Sequence, residues 1–179
     1  MKESKFDIIV GRHHSGRTRQ ALSMAFHTAQ RLKREVVVYG DNNDIAENGY
    51  ITKHANEIRD LFGVDFVAYD FHGAMLANNQ REEYVYCVLG DEISMSAPQQ
   101  EAVRQLVHTL DIYKQHTVIT TPSLVGMRDD LRLSIKARAI INASPVGARI
   151  HLTTLQYEEG NNQPRLHIEL IGYRMPFNI

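Results

Sequence analysis

The sequence predicts an α/β fold in which a mainly parallel β-sheet is covered by helices on both faces. Three observations support this prediction. Short β-branched runs alternate along the chain with longer segments of helical spacing. The run Tyr84–Leu89 is apolar at every position, as in a strand that is buried on both faces. The last two strand-like runs flank a polar turn, which is typical of a β-hairpin.

The predicted strands and helices follow from local patterns taken in chain order. The run Glu35–Tyr39 is β-branched and stops at Gly40, and the helical pattern that begins near Ile51 stops at Gly63. Pro98 stands where a helix can begin, because the missing N–H of proline costs nothing there. Strands are predicted at 5–10, 35–39, 64–71, 84–89 and 117–121, with hairpin strands at 149–157 and 165–173. Helices are predicted at about 16–33, 51–62, 98–113 and 129–141.

Length and composition predict a single soluble domain. The 179 residues include no linker-like stretch, so we expect one domain with a core at about 5–142 and a terminal hairpin at about 149–173. The formal net charge of −1 gives no general attraction to nucleic acid or anionic membranes. A lone Cys87 excludes an internal disulfide and a multi-cysteine zinc site. The apolar stretch after Lys5 is too short for a signal peptide or a membrane span, so we expect a cytoplasmic protein.

Residues 11–18 carry the most informative pattern in the chain. They follow an apolar run and match the phosphate-binding pattern G-x-x-x-x-G-K-[ST], except that Arg17 replaces the lysine. Glycine at both ends lets the backbone approach phosphates, and the N-terminus of the following helix favours an anion. The residues expected to bind a nucleoside triphosphate are Gly11, Arg12, His13, His14, Ser15, Gly16, Arg17 and Thr18. The alternative is a glycine-flanked turn between a strand and a helix that binds no ligand.

Two of these residues have specific expected roles. The Thr18 hydroxyl is expected to bind Mg²⁺, and Arg17 is expected to reach the β- and γ-phosphates. A guanidinium is larger than an ammonium group, and it is planar. It can hold phosphates, but it can also displace the γ-phosphate from in-line geometry. The sequence therefore leaves open whether a bound nucleotide is hydrolysed efficiently.

An acidic pair follows the predicted buried strand. Asp91 and Glu92 come directly after Gly90, where an aspartate can hold Mg²⁺ and a glutamate can polarise an attacking water. The alternative is that these carboxylates belong to a solvated turn or a helix cap. The pattern gains weight from its place after a phosphate-binding loop and before a predicted helix.

Polar and basic residues after the next strand complete the candidate site. Thr120 or Thr121 is expected where this strand leaves the sheet beside the loop, and its hydroxyl could bond the γ-phosphate or the attacking water. β-Branching alone also favours threonine in a strand. Arg128 and Arg132 lie four residues apart and would share a helical face. Either is a candidate arginine finger for a neighbouring subunit, the alternative being a solvated helix face.

These elements together resemble those of a P-loop NTPase. The Asp-Glu pair points to the branch with an additional catalytic glutamate, which includes RecA-like motors and phage-type packaging or secretion ATPases. The resemblance covers about residues 5–142 and implies that residues 11–18 form the Walker A loop. It implies that Asp91 and Glu92 form the Walker B pair and that Thr120 or Thr121 lies on the sensor strand. It also implies that the first strand lies between the third and fourth positions of the sheet.

The resemblance implies ATP and Mg²⁺ as cofactors and an ATP-driven motor or remodelling subunit. Such a subunit would act on nucleic acid, DNA in particular, within a homo-oligomeric ring or a larger complex. A small-molecule kinase of the nucleoside type is one alternative, and a non-hydrolysing, nucleotide-dependent assembly protein is another. The residues expected to be catalytic are Glu92, Arg17, Thr120, Arg128 and Arg132, and the expected metal ligands are Thr18 and Asp91.

Overall fold

The computed structural model describes residues 4–12, 15–71, 84–90, 96–122, 135–157, 159–160 and 162–176. The strands are β1 (Phe6–Gly11), β2 (Glu35–Tyr39), β3 (Phe66–Tyr69), β4 (Tyr84–Leu89), β5 (Thr117–Pro122), β6 (Arg149–Gln156) and β7 (Arg165–Tyr173). The helices are α1 (Arg17–Leu32), α2 (Asn42–Ile45), α3 (Tyr50–Phe62), α4 (Ala97–Ile112) and α5 (Ile135–Ala143).

The strands of the described residues form one sheet in the order β3-β2-β4-β5-β1-β6-β7. Every pair of neighbouring strands in this order is parallel except the last, since β6 and β7 are antiparallel. The predicted mainly parallel α/β fold is therefore confirmed, and its last two strands pair antiparallel. The expected position of the first strand was wrong, since β1 is fifth from the β3 edge and third from the β7 edge. Four strands, β3, β2, β4 and β5, lie on one side of β1, and β6 and β7 lie on the other.

Several elements differ from the predictions. β3 is shorter than the predicted strand at 64–71, and the short helix α2 was not predicted. Asp41 caps α2 by accepting a hydrogen bond from the Asn43 N–H at 3.4 Å, an interaction that leaves no apolar pattern in the sequence. Pro122 does not end the preceding strand but belongs to β5, where it pairs with Gly11. The predicted helix at 129–141 is described only from residue 135, as α5.

Helices cover both faces of the sheet in the described part of the chain. Alternate strand residues point to opposite faces. Ile9 and Cys87 pack with apolar residues of α1 and α3, whereas Ile8 and Val88 pack with those of α4 and α5. β4 is buried from Val85 onward, so the prediction of a strand buried on both faces is confirmed. The same alternation determines on which face of the sheet each polar residue at a strand end lies.

Candidate functional site

The loop between β1 and α1 lies at the carboxyl edge of the sheet, where parallel sheets bind their ligands. The structure has strand, loop and helix in the predicted order. The Ser15 N–H donates to the Arg12 carbonyl at 3.1 Å and closes a turn. Gly16, which precedes α1, has a φ of 82°, in the left-handed region that glycine adopts readily. His13 and His14 lie outside the described residues.

Gly11 is packed so closely that no side chain fits there. A Cβ at this position would overlap Thr153 Oγ1 and would lie 2.5 Å from Ser15 Oγ and 3.0 Å from Arg17 Cγ. Thr153 comes from β6, where it stands in register with Gly11. Glycine at position 11 therefore allows three side chains to converge on the start of the loop.

Arg17 is the first residue of α1 and is only 8% exposed. Its side chain begins directly over Gly11. The first turn of α1 contains no acidic residue, so nothing within that turn offsets the positive end of the helix dipole. A guanidinium and a helix N-terminus with the same sign of charge favour an anion bound beside them. Thr18, the expected metal ligand, is the second residue of the same helix and is half-buried.

The carboxyl end of β5 stands beside the loop, since β5 pairs with β1 on one side and with β4 on the other. Thr120 is buried and lies on the α1 face of the sheet, together with Val118. Thr121 is fully buried on the opposite face, and its Oγ1 has no hydrogen-bond partner among the described residues. An unsatisfied buried hydroxyl costs about 1–3 kcal/mol, so Thr121 is a candidate to bond a group that enters this edge.

The four other predicted residues, Asp91, Glu92, Arg128 and Arg132, lie outside the described residues. β4 ends at Leu89, and it runs parallel to β5 and β1 in one continuous sheet. The chain therefore leaves β4 at the edge that carries the loop. Leu89, the last residue of β4, is in register with Thr120 at the polar end of β5.

A polar link at this edge holds the start of α4, the helix that follows the acidic pair. Gln99 Nε2 donates to Asp41 Oδ1 at 2.7 Å, and Asp41 directly follows β2 and Gly40. Ser96 and Gln99 also form a capping box at the N-terminus of α4. The end of β2 and the start of α4 are thus held together beside β4.

Two residues of the hairpin support the loop, and sequence reasoning missed both. Ser15 Oγ and Thr153 Oγ1 are 3.0 Å apart and buried. Leu166 of β7 covers Gly16, where an added Cβ would overlap Leu166 Cδ2 and lie 3.2 Å from Cδ1. The sequence left the role of the hairpin open between completing the sheet and forming an assembly surface. The structure places it in the sheet, and only the pairing of β6 with β1 brings these side chains to the loop.

A separate charged cluster lies at the amino end of β1, away from the loop. Arg149 Nε and His151 Nε2 lie 2.7 and 2.8 Å from Asp7 Oδ1. Burial raises the pKa of Asp7, but the hydrogen bonds and charges of His151 and Arg149 outweigh burial and hold that pKa below its ordinary value. Because these groups bind one another, the cluster ties β6 to β1.

No family model and no curated protein matches this sequence. Within the described ranges, none of the helices has the length and apolar character needed to cross a membrane. The structure defines an α/β protein with a mostly parallel seven-stranded sheet. Its candidate site is a glycine-bounded loop at the carboxyl edge, with a buried arginine and two buried threonines beside it.

Proposed function

We propose that this chain is an ATP-binding P-loop NTPase, an ATPase motor or remodelling subunit that acts on nucleic acid within an oligomeric ring. The position of Arg17 carries the proposal. This cation is buried at the first residue of the helix, over a glycine that lets the backbone come close. A loop of this shape supports binding of the β- and γ-phosphates by backbone N–H groups, the helix N-terminus and a guanidinium.

The strand order supports a role in hydrolysis. A γ-phosphate held by the loop would face the ends of β5 and β4, which are the next two strands across the sheet. In the proposed site Thr18 and Asp91 hold Mg²⁺, Glu92 polarises the attacking water, and Thr120 hydrogen-bonds that water or the γ-phosphate. Arg128 or Arg132 would complete the site of a neighbouring subunit. This last role requires a neighbouring subunit, because the finger is proposed to act in trans.

The test measures ATP–Mg²⁺ binding and steady-state hydrolysis for the wild type, Arg17→Lys and Arg17→Ala, with and without DNA. Arg17→Ala is expected to weaken binding by about tenfold or more, because a charge-assisted hydrogen bond to phosphate is lost. Arg31→Ala is the matched control, since Arg31 lies on the same helix but is exposed in its last turn, away from the loop. Glu92→Gln is expected to keep binding and lose roughly 100-fold or more in turnover. Turnover stimulated by DNA would support the motor, and absence of binding in every form would refute the proposal.

A non-hydrolysing, nucleotide-dependent assembly protein is the second candidate. The burial of Arg17 favours it, because a buried, planar guanidinium has less room to adjust than an ammonium group. This candidate predicts tight binding without turnover in the wild type, with hydrolysis appearing in Arg17→Lys. Glu92→Gln would then leave the wild-type behaviour unchanged.

A further inference from the structure

We propose that the β6–β7 hairpin positions the phosphate loop through Thr153 and Leu166, two residues that contact the loop without touching the nucleotide. The inference rests on the proposed function for its effect on affinity, but the support itself can be measured without nucleotide. Thr153 and Leu166 are positioning residues in this account, since each acts through a loop residue.

Thr153 holds the loop through Ser15. The two hydroxyls are 3.0 Å apart, both residues are buried, and their separation in sequence makes the contact a tertiary one. Thr153 also stands in register with Gly11, at the point where the chain leaves β1. Removing its hydroxyl would leave the Ser15 hydroxyl buried without this partner, which favours a rearranged loop.

Leu166 holds the loop through Gly16. Its two terminal methyl groups lie over the α-carbon of Gly16, the residue whose left-handed conformation starts α1. Thr153 and Leu166 therefore act on adjacent loop residues from two different strands of the hairpin. Two independent contacts on neighbouring residues fix both the position of the loop and the direction of the helix that follows it.

An ordered loop binds phosphates more tightly than a mobile one, because binding then costs less conformational entropy. If the loop populates its binding conformation only part of the time, the apparent affinity falls by that fraction. Loss of either support is expected to weaken ATP–Mg²⁺ binding by about five- to thirtyfold, the range given by one net hydrogen bond and its buried partner. The change would come without loss of any group that touches the nucleotide.

The experiment compares Thr153→Val, Thr153→Ser, Leu166→Ala and Leu170→Ala in the full chain by calorimetric titration with ATP–Mg²⁺. Thr153→Val removes the hydroxyl, and Thr153→Ser keeps it and should restore wild-type affinity. Leu170→Ala is the matched control, because Leu166 and Leu170 share one face of β7 with exposures of 39% and 44%. Leu166→Ala should weaken binding, and Leu170→Ala should not.

Amide hydrogen exchange without nucleotide separates failure of this inference from failure of the proposed function. Thr153→Val and Leu166→Ala should speed exchange at the Ser15 amide, which donates to the Arg12 carbonyl, by about tenfold and by more than at the amides of β4. Unchanged exchange in both variants would overturn the positioning role, whatever the affinities. If the two variants exchange faster but the wild type binds no ATP, the proposed function is refuted and the positioning role remains in place. Equal effects of Leu166→Ala and Leu170→Ala on exchange would also overturn it.

Discussion

Gly16→Ala is the sharpest test of how the loop is built. Gly16 has a φ of 82°, and a Cβ there would overlap a methyl group of Leu166. The left-handed conformation costs a residue with a Cβ about 1–2 kcal/mol. Forcing a methyl group against the Leu166 side chain adds roughly 1–3 kcal/mol. We therefore expect Gly16→Ala to lower the free energy of unfolding by about 2–5 kcal/mol, a large share of the stability of a typical domain.

Two variants separate these contributions. Gly160 has a φ of 81°, and no atom of the described residues lies within 4 Å of its added Cβ, so Gly160→Ala reports the conformational cost alone. The double variant Gly16→Ala/Leu166→Ala removes the overlap and should recover part of the loss, since the two residues are in contact. The loss that remains should be close to that of Gly160→Ala added to that of Leu166→Ala.

The assay is equilibrium unfolding in urea followed by circular dichroism, with the midpoint and the m-value compared across the four proteins and the wild type. The reasoning requires Gly16→Ala to be clearly less stable than Gly160→Ala at equal m-value. Equal costs at the two glycines would show that Leu166 does not constrain the loop. The same conclusion would follow if the double variant showed simple additivity.

Three further predictions concern ionisable groups away from the loop. Burial, together with the charge of Lys5 and other nearby cations, lowers the pKa of His116 to about 4. The contribution of neutral His116 to the free energy of unfolding is therefore fully present above pH about 6.5 and declines as the pH falls toward 4. His116→Asn should abolish that decline of about 1–2 kcal/mol in urea titrations. Burial raises the pKa of Cys87, and this thiol should react with a disulfide reagent at least about 100-fold more slowly in the native protein than in urea. The pKa of Asp7 is lowered, so its contribution is present above pH about 4 and is lost as the pH falls further. Asp7→Asn should lower the free energy of unfolding by roughly 1–3 kcal/mol at pH 7, and it should remove this loss of stability below pH about 4.

The sequence predicted what depends on local pattern. Tyr84–Leu89 was recognised as a strand buried on both faces because six apolar residues in a row leave no solvent face. α3 ends at Phe62 because Gly63 takes the left-handed conformation that closes a helix. α2 was missed because it depends on the Asp41 cap and has no apolar periodicity.

The candidate site was predicted in part for the same reason. The loop between β1 and α1 is a contiguous motif, so its residues could be named from the sequence. Thr153 and Leu166 lie more than a hundred residues farther along the chain, and nothing near them signals a contact with Ser15 or Gly16. Their role depends on which strand pairs with β1, and strand order is a property of the whole sheet.

That strand order makes the hairpin part of the core that carries the loop. Residues Asp7 through Gly11 pair with β6 along the length of β1, and Asp7 is tied to β6 again through Arg149. Without the hairpin, β1 would become an edge strand with a row of unpaired backbone groups directly below the loop. The segment 5–142, which carries the resemblance, therefore lacks one of the two strands that hold β1 in place. We infer that the loop and the hairpin fold as one cooperative unit, and that support of the loop by β6 and β7 follows from the topology as well as from the two side-chain contacts.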